Sequence, residues 1–288
     1  MDHVAPDELV QSMLSSAEKR ANLSAKDLLI RSFLAGAILS FATSLAFVVL
    51  AQGLSPIASA LLFPVGFVIL VLLGLELATG NFAILPAGLA GGKITFGKMM
   101  RNWGVVYAGN LAGSLFYAIL FYAAVTSLNS GSAGTLGDLF KAAAQKKTLG
   151  YVAVGLRGWE AAFIKGILCN WMVTLGAVMA LISRATIGKI VAMWLPIFTF
   201  FAQGFEHSIV NMFVIPIGKM FGAQVSLRQW WWWNQVPVTL GNIVAGSLLT
   251  GLALYWTYTP KRTAELVIQT EVSAAAGEPV FEGVTTVG

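Results

Sequence analysis

The sequence predicts an all-α integral membrane protein of six transmembrane segments, built as two inverted repeats of three with one interrupted helix in each. Three observations predict it. First, the 288-residue chain is 57% hydrophobic and only 11% charged, where a soluble domain carries about 25% charged residues. Its mean hydropathy is +0.77. Second, apolar runs long enough to span a bilayer, which takes roughly 20 residues, recur over 31–51, 57–91, 102–125, 160–183, 187–222 and 234–257. Third, the pattern repeats. Glu76 precedes Asn81 by five residues, as Glu206 precedes Asn211. GNLAGSL (109–115) returns as GNIVAGSL (241–248), and Arg31 as Lys165, all at shifts of 130 to 134 residues. A unit of three spans has odd parity, so the two units must face opposite ways in the membrane.

Taken in order, residues 1–30 form an amphipathic N-terminal segment rich in charge (Asp2, Asp7, Glu8, Glu18, Lys19, Arg20, Lys26, Asp27), without the apolar core of a signal peptide. Residues 31–257 hold the six spans, with repeats over about 31–125 and 160–257, and residues 258–288 read as a soluble C-terminal tail. Even span number puts both termini on one side. Eleven Lys and Arg fall on that side and seven on the other, which makes the terminal side cytoplasmic. The longest loop, 126–159, carries four of the opposing cations. The net charge of +5 therefore bears on topology and not on nucleic acid.

The second and fifth segments, about 35 residues each, are too long for one straight span and carry ELATGN (76–81) and GFEHSIVN (204–211) at their middles. A backbone can break at that depth only against protein or a water-filled cavity. Gly80, Asn81 and Gly204 are the expected break points. Small residues at 109, 113, 114, 241, 245, 246 and 247 let segments three and six pack closely. The WWWW run (230–233) reads as an interfacial aromatic belt.

A buried carboxyl needs a partner or a proton. Asn170 is the expected donor to Glu206, and Glu206 and Glu76 read as braces of the two breaks. His207 lies at a break, beside Glu206 and four residues before Asn211, so it reads as part of a pathway rather than a lone interhelical hydrogen-bonder. An imidazole titrates near pH 6.5, and an anion arriving beside it would favour its charged form. Lys165 fits either an anion-attracting outer vestibule or a lysine snorkelling to the interface. Chemistry of other kinds finds little support. The two histidines are His3 and His207, Cys169 stands alone, and neither His-Glu-x-x-His nor a Ser–His–Asp set is present. No enzyme activity, metal or cofactor is expected. A neutral-solute channel is the nearest rival class, but the paired Asn-Pro-Ala signature of aquaporins is missing.

GFEHSIVNMFVIP (204–216), with ELATGN, ITFGKMMRNWGVVYAGNLAGS (94–114), GILCNWMV (166–173) and VPVTLGNIVAGSL (236–248), resembles the formate/nitrite transporter family over about residues 30–257. The resemblance implies an aquaporin-like protomer of six helices, two of them broken, in a homopentamer with one pore per subunit. It implies pH-dependent passage of formate or a related small monovalent anion, with protons, across the cytoplasmic membrane; nitrite or hydrosulfide passage is the alternative within the family. Carried over by alignment, His207 is the central histidine and Thr79 the loop threonine beside it. Phe63, Phe67 and Leu77 fall at the cytoplasmic constriction, and Phe200 and Val173 at the periplasmic one. Asn170, Asn211 and Asn242 match polar positions near the pore. One departure is Ala78, where many members have an aromatic; Phe201 or Phe82 are candidates to fill that space.

Overall fold

A computed structural model describes residues 4–259. Every element in it is helical. Helix α1 (Pro6–Ala21) precedes α2 (Ala25–Ala51), α3 (Pro56–Leu62), α4 (Val65–Leu72), α5 (Ala78–Ala90) and α6 (Phe96–Val125). The second half runs through α7 (Gly134–Val154), α8 (Leu156–Ile182), α9 (Thr186–Ala202) and α10 (Ser208–Met220). It closes with α11 (Leu227–Tyr258), which contains two π-helical stretches. Residues 260–288, most of the expected C-terminal tail, lie outside the described residues, as does His3.

Local chemistry sets the boundaries. Ser24 and Thr95 accept the Asp27 and Lys98 N–H groups and start α2 and α6. Pro64, which has no N–H to give, separates α3 from α4. The two long breaks fall at Leu73–Leu77 and Gln203–His207. Gly74 (φ 62°) and Gly204 (φ 70°) turn the chain out of the helix there, in the left-handed region that glycine enters freely. The first break is thus at Gly74, not at Gly80 and Asn81, which already belong to α5. Gly74 and Gly204 are 130 residues apart, in register with the Glu76/Glu206 repeat.

Each repeat packs in the same way. Helix α2 lies along α6, and α8 lies along α11. The half-helices then cross over: α5 of the first repeat packs on α11 of the second, and α10 of the second packs on α6 of the first. The core is therefore shared between the repeats. The glycine opening each GN pair permits the close approach: a Cβ on Gly109 would collide with Ser32 Oγ, and one on Gly241 with the Phe163 carbonyl.

The 126–159 region is not simply a loop. Its residues Gly134–Val154 form α7, which packs on α10 as α1 packs on α5. α7 is charged on one face and buries Phe140, Ala144, Thr148 and Tyr151 on the other, so it is amphipathic and too polar to read as a span. The repeat unit has four members: a flanking amphipathic helix, a full span, a broken span and a second full span.

Gly109→Leu and Gly241→Leu should each lower stability by about 1–3 kcal/mol or more through overpacking. Gly104→Leu, with nothing within 4 Å of its added Cβ, should be neutral. Thermal unfolding of the detergent-solubilised variants measures the difference.

Candidate functional site at the two helix breaks

Both breaks are held by the same construction. Glu206 is almost fully buried (3% exposed). It accepts hydrogen bonds from Lys147 Nζ at 2.6 Å, Tyr151 Oη at 2.8 Å and Asn211 Nδ2 at 2.8 Å. Asn211 also donates to Asn234, which donates back to the Lys147 carbonyl. In the other repeat Glu76 accepts from Asn81 Nδ2 at 2.8 Å and lies 3.5 Å from Arg20 Nη1. Asn81 donates to Asn102, which donates back to the Arg20 carbonyl. Asn110 receives the Ala78 N–H and donates to the Ser32 and Glu76 carbonyls. Asn242 receives the Ser208 N–H and donates to the Gly166 and Glu206 carbonyls. Backbone groups freed by the interruptions thus find side-chain partners, as a low-dielectric interior requires. Burial, then the charge of Glu206, push the Tyr151 hydroxyl well above the ordinary tyrosine range, so it remains a donor.

The breaks share a backbone and differ in one side chain. Leu77 (φ −112°, ψ 124°) caps α5, and His207 (φ −109°, ψ 120°) caps α10. The leucine offers α5 nothing. The imidazole accepts the Val210 N–H on Nδ1 at 3.2 Å. With Nδ1 an acceptor, the hydrogen-bond pattern assigns the proton to Nε2, which donates to Thr79 Oγ1 at 3.1 Å. The Thr79 hydroxyl hydrogen stays available to a third group. Phe67 meets the imidazole edge-on at 5.5 Å and Phe200 stacks on it at 5.9 Å.

One cavity reaches the imidazole, and a second stops at its neighbour Phe67. The larger, about 720 Å³, is lined by Lys146, Lys147, Tyr151, Lys165, Phe200, Phe201, Phe205 and His207. The smaller, about 150 Å³, is lined by Arg20, Lys189, Phe67, Leu77, Val173 and Met193 among others, on the side covered by α1. Lys165 lies over the Tyr151 ring at 5.6 Å, and its carbonyl accepts the Glu206 N–H.

The structure redistributes several expected roles. Asn170 does not reach Glu206; its Nδ2 donates to the Thr79 carbonyl at 3.1 Å and the Asn242 carbonyl at 2.6 Å, tying the half-helix α5 to the full span α11. Its buried Oδ1 has no partner among the described residues. Val173 sits with Phe67 and Leu77 on the α1 side, not with Phe200. Its place on α8, seven residues beyond Gly166, carries it a further two turns across the membrane. Phe63 lines neither cavity; it stacks on Phe201 at 3.9 Å and meets Phe67 at 5.7 Å and Phe200 at 5.9 Å edge-on, so it backs both rings that flank the imidazole. Asn211 and Asn242 hold the break rather than line a cavity. Ala78 is fully buried, and the ring facing His207 on that flank comes from Phe67 of α4; Phe82 packs on Trp103 and Phe201 on Phe63.

Sequence reasoning missed Arg20, Lys147, Tyr151, Asn102 and Asn234. A signal for them was present, since Asn102 and Asn234 lie 132 residues apart, inside the repeat's own shift. Arg20 and Lys147 are 127 apart, because Arg20 stands one residue before the end of α1 and Lys147 seven residues before the end of α7.

A family model described as formate/nitrite transporter matches residues 7–256. The chain belongs to the formate/nitrite transporter family. A probable formate transporter from Methanothermobacter thermautotrophicus is 35% identical over 269 residues, covering 88% of this chain and 97% of its own length. A solved FNT family ion channel superposes with a TM-score of 0.73 at 29% identity, over 88% of this chain and 99% of that one. A pentameric formate channel with formate bound superposes with a TM-score of 0.65 at 27% identity, over 81% and 97%. This member of the family thus has the aquaporin-like arrangement of inverted repeats with two broken helices, and it is a membrane protein.

Removing the cation from a buried pair costs about 3–5 kcal/mol when the carboxylate is left unpaired. Lys147→Met should therefore lower the unfolding temperature markedly. Adding Glu206→Gln to it should restore much of the loss, and thermal unfolding of the single and double variants tests this.

Proposed function

We propose that each protomer passes formate, or a similarly small monovalent anion or its conjugate acid, across the cytoplasmic membrane in a pH-dependent way. The protomers form a homopentamer, with both termini cytoplasmic and no chemical turnover. The observation that carries this is the setting of His207: one cavity reaches the ring, a second ends on its neighbour Phe67, and its Nε2–H is spent on a hydroxyl that still has a hydrogen to give. A packed structural histidine would need none of this. The relatives described as formate channels and transporters, including a pentameric one, support the substrate and the assembly.

The steps follow from charge and solvation. Lys146, Lys147 and Lys165 raise the anion concentration in the larger cavity. A carboxylate stripped of water in an apolar neck is prohibitively costly. At the cluster the anion instead meets the Thr79 hydroxyl and the N-terminal ends of α5 and α10, whose dipoles favour negative charge. Because the His207 Nδ1 is engaged by Val210, the ring contributes a hydrogen bond, and the proton that neutralises formate is taken from hydronium on the side of entry and returned to water when the acid ionises on the far side. The neutral acid then passes Phe67, Leu77 and Val173 on one side, or Phe200 on the other. Formate flux rises as pH falls on the side of origin, because more of the permeating form exists there.

His207→Phe removes both hydrogen bonds and should abolish or strongly alter pH-dependent formate flux in proteoliposomes. A variant with the parent's flux and pH profile takes His207 out of the mechanism. Phe200→Ala should admit larger acids: lactate uptake rises several-fold relative to formate, and an unchanged ratio removes Phe200 from the gate.

A further inference from the structure

The smaller cavity holds charge that passage through His207 does not use. Its wall is mostly apolar, from Phe67, Leu77, Val173 and Met193, yet Arg20 and Lys189 both line it. Arg20 comes from the first repeat and Lys189 from the second. The guanidinium is fixed: Nε donates to Ser16 Oγ at 3.2 Å, and Nη1 to Asn81 Oδ1 at 2.6 Å with Glu76 at 3.5 Å. Nη2 is left without a partner among the described residues, and Lys189 makes neither a side-chain hydrogen bond nor an ion pair there. Glu76 offsets Arg20. Nothing described offsets the half-buried Lys189, so an anion arriving between the two cations gains from both.

We propose that this cavity is an anion-binding site, which takes a small oxyanion between Arg20 Nη2 and Lys189. It is separate from the Thr79–His207 cluster. About 150 Å³ accommodates a carboxylate or a short dicarboxylate, and guanidinium and ammonium donors are the groups that recognise such oxygens. A monoanion bound here can go on to the cluster. A dianion cannot, because one proton does not neutralise it, and its desolvation in the neck of Phe67, Leu77 and Val173 is prohibitive. A short dianion therefore occupies the site and blocks it, so formate movement is inhibited by dianions on the α1 side alone. The inhibition, though not the binding, rests on the formate reading.

Oxalate is the probe. Formate flux is measured in right-side-out and inside-out membrane vesicles carrying the full chain, with oxalate on one side at a time. Each variant's inhibition is referred to its own flux without oxalate. Oxalate should inhibit from the α1 side and not from the other. Lys189→Met should raise the half-inhibitory concentration about ten- to a hundredfold, the worth of one charge-assisted hydrogen bond, and Lys189→Arg should keep it near the parent value. Equal inhibition from both sides, or none, or inhibition indifferent to Lys189→Met, overturns the site. Absence of formate flux in the parent without oxalate would instead count against the transport reading. In that event binding is read from the oxalate-induced rise in unfolding temperature of the solubilised protein: a rise lost in Lys189→Met supports the site, and no rise overturns it.

Discussion

The architecture depends on a buried carboxylate paired with a cation at each interrupted helix. Opening a helix at mid-membrane strands backbone donors and acceptors where no lipid group can meet them. Asn242 and Asn110 meet those backbone groups, while Glu206 and Glu76, held by Asn211 and Asn81, tie each break to Lys147 and Arg20. Those cations arrive on α7 and α1, amphipathic helices that cross nothing. The flanking helices are thus structural members of the repeat. The cost of each break is met by one asparagine ladder and one ion pair, repeated with little change.

Symmetry of construction makes the single asymmetry informative. Leu77 and His207 occupy the same place in the same backbone, and one of them is an imidazole. The fold does not require it, because α5 begins without any side-chain cap. Its second nitrogen is directed at Thr79 of the other repeat, so one hydrogen bond crosses between the two breaks, and the imidazole that makes it lines the larger cavity. Asn170 supports that contact from below by binding the Thr79 carbonyl. Rings from Phe67 and Phe200 bound it on both faces. Between unlike cavities, one rich in lysine and one small and mostly apolar, this is where a solute's charge and the protein's dipoles meet.

Much of this was legible in the sequence, and the gaps have physical causes. Six spans and two interruptions follow from the length of the apolar runs and the polar residues at 76–81 and 204–211. The braces followed from the Glu–x4–Asn spacing. Helix α7 was hidden because an amphipathic helix lying on a membrane protein has the charge content of a loop. Asn170 was paired with the wrong acceptor because proximity of spans says nothing of depth, and the same blindness set Val173 beside Phe200 rather than beside Phe67 and Leu77. Gly80 was favoured over Gly74 because it sits inside the polar motif, whereas the turn that needs a positive φ precedes it.

The most direct test exploits the presence of only two histidines, one of them at position 3. Nitrogen-15 magnetic resonance of histidine-labelled, reconstituted protein carrying His3→Gln reports on His207 alone. The account predicts a neutral ring with a bare Nδ1 and a protonated Nε2, and a change in the Nε2 signal when formate is added. A signal indifferent to formate at every pH would mean that no solute reaches the ring, and the route through the break would have to be abandoned.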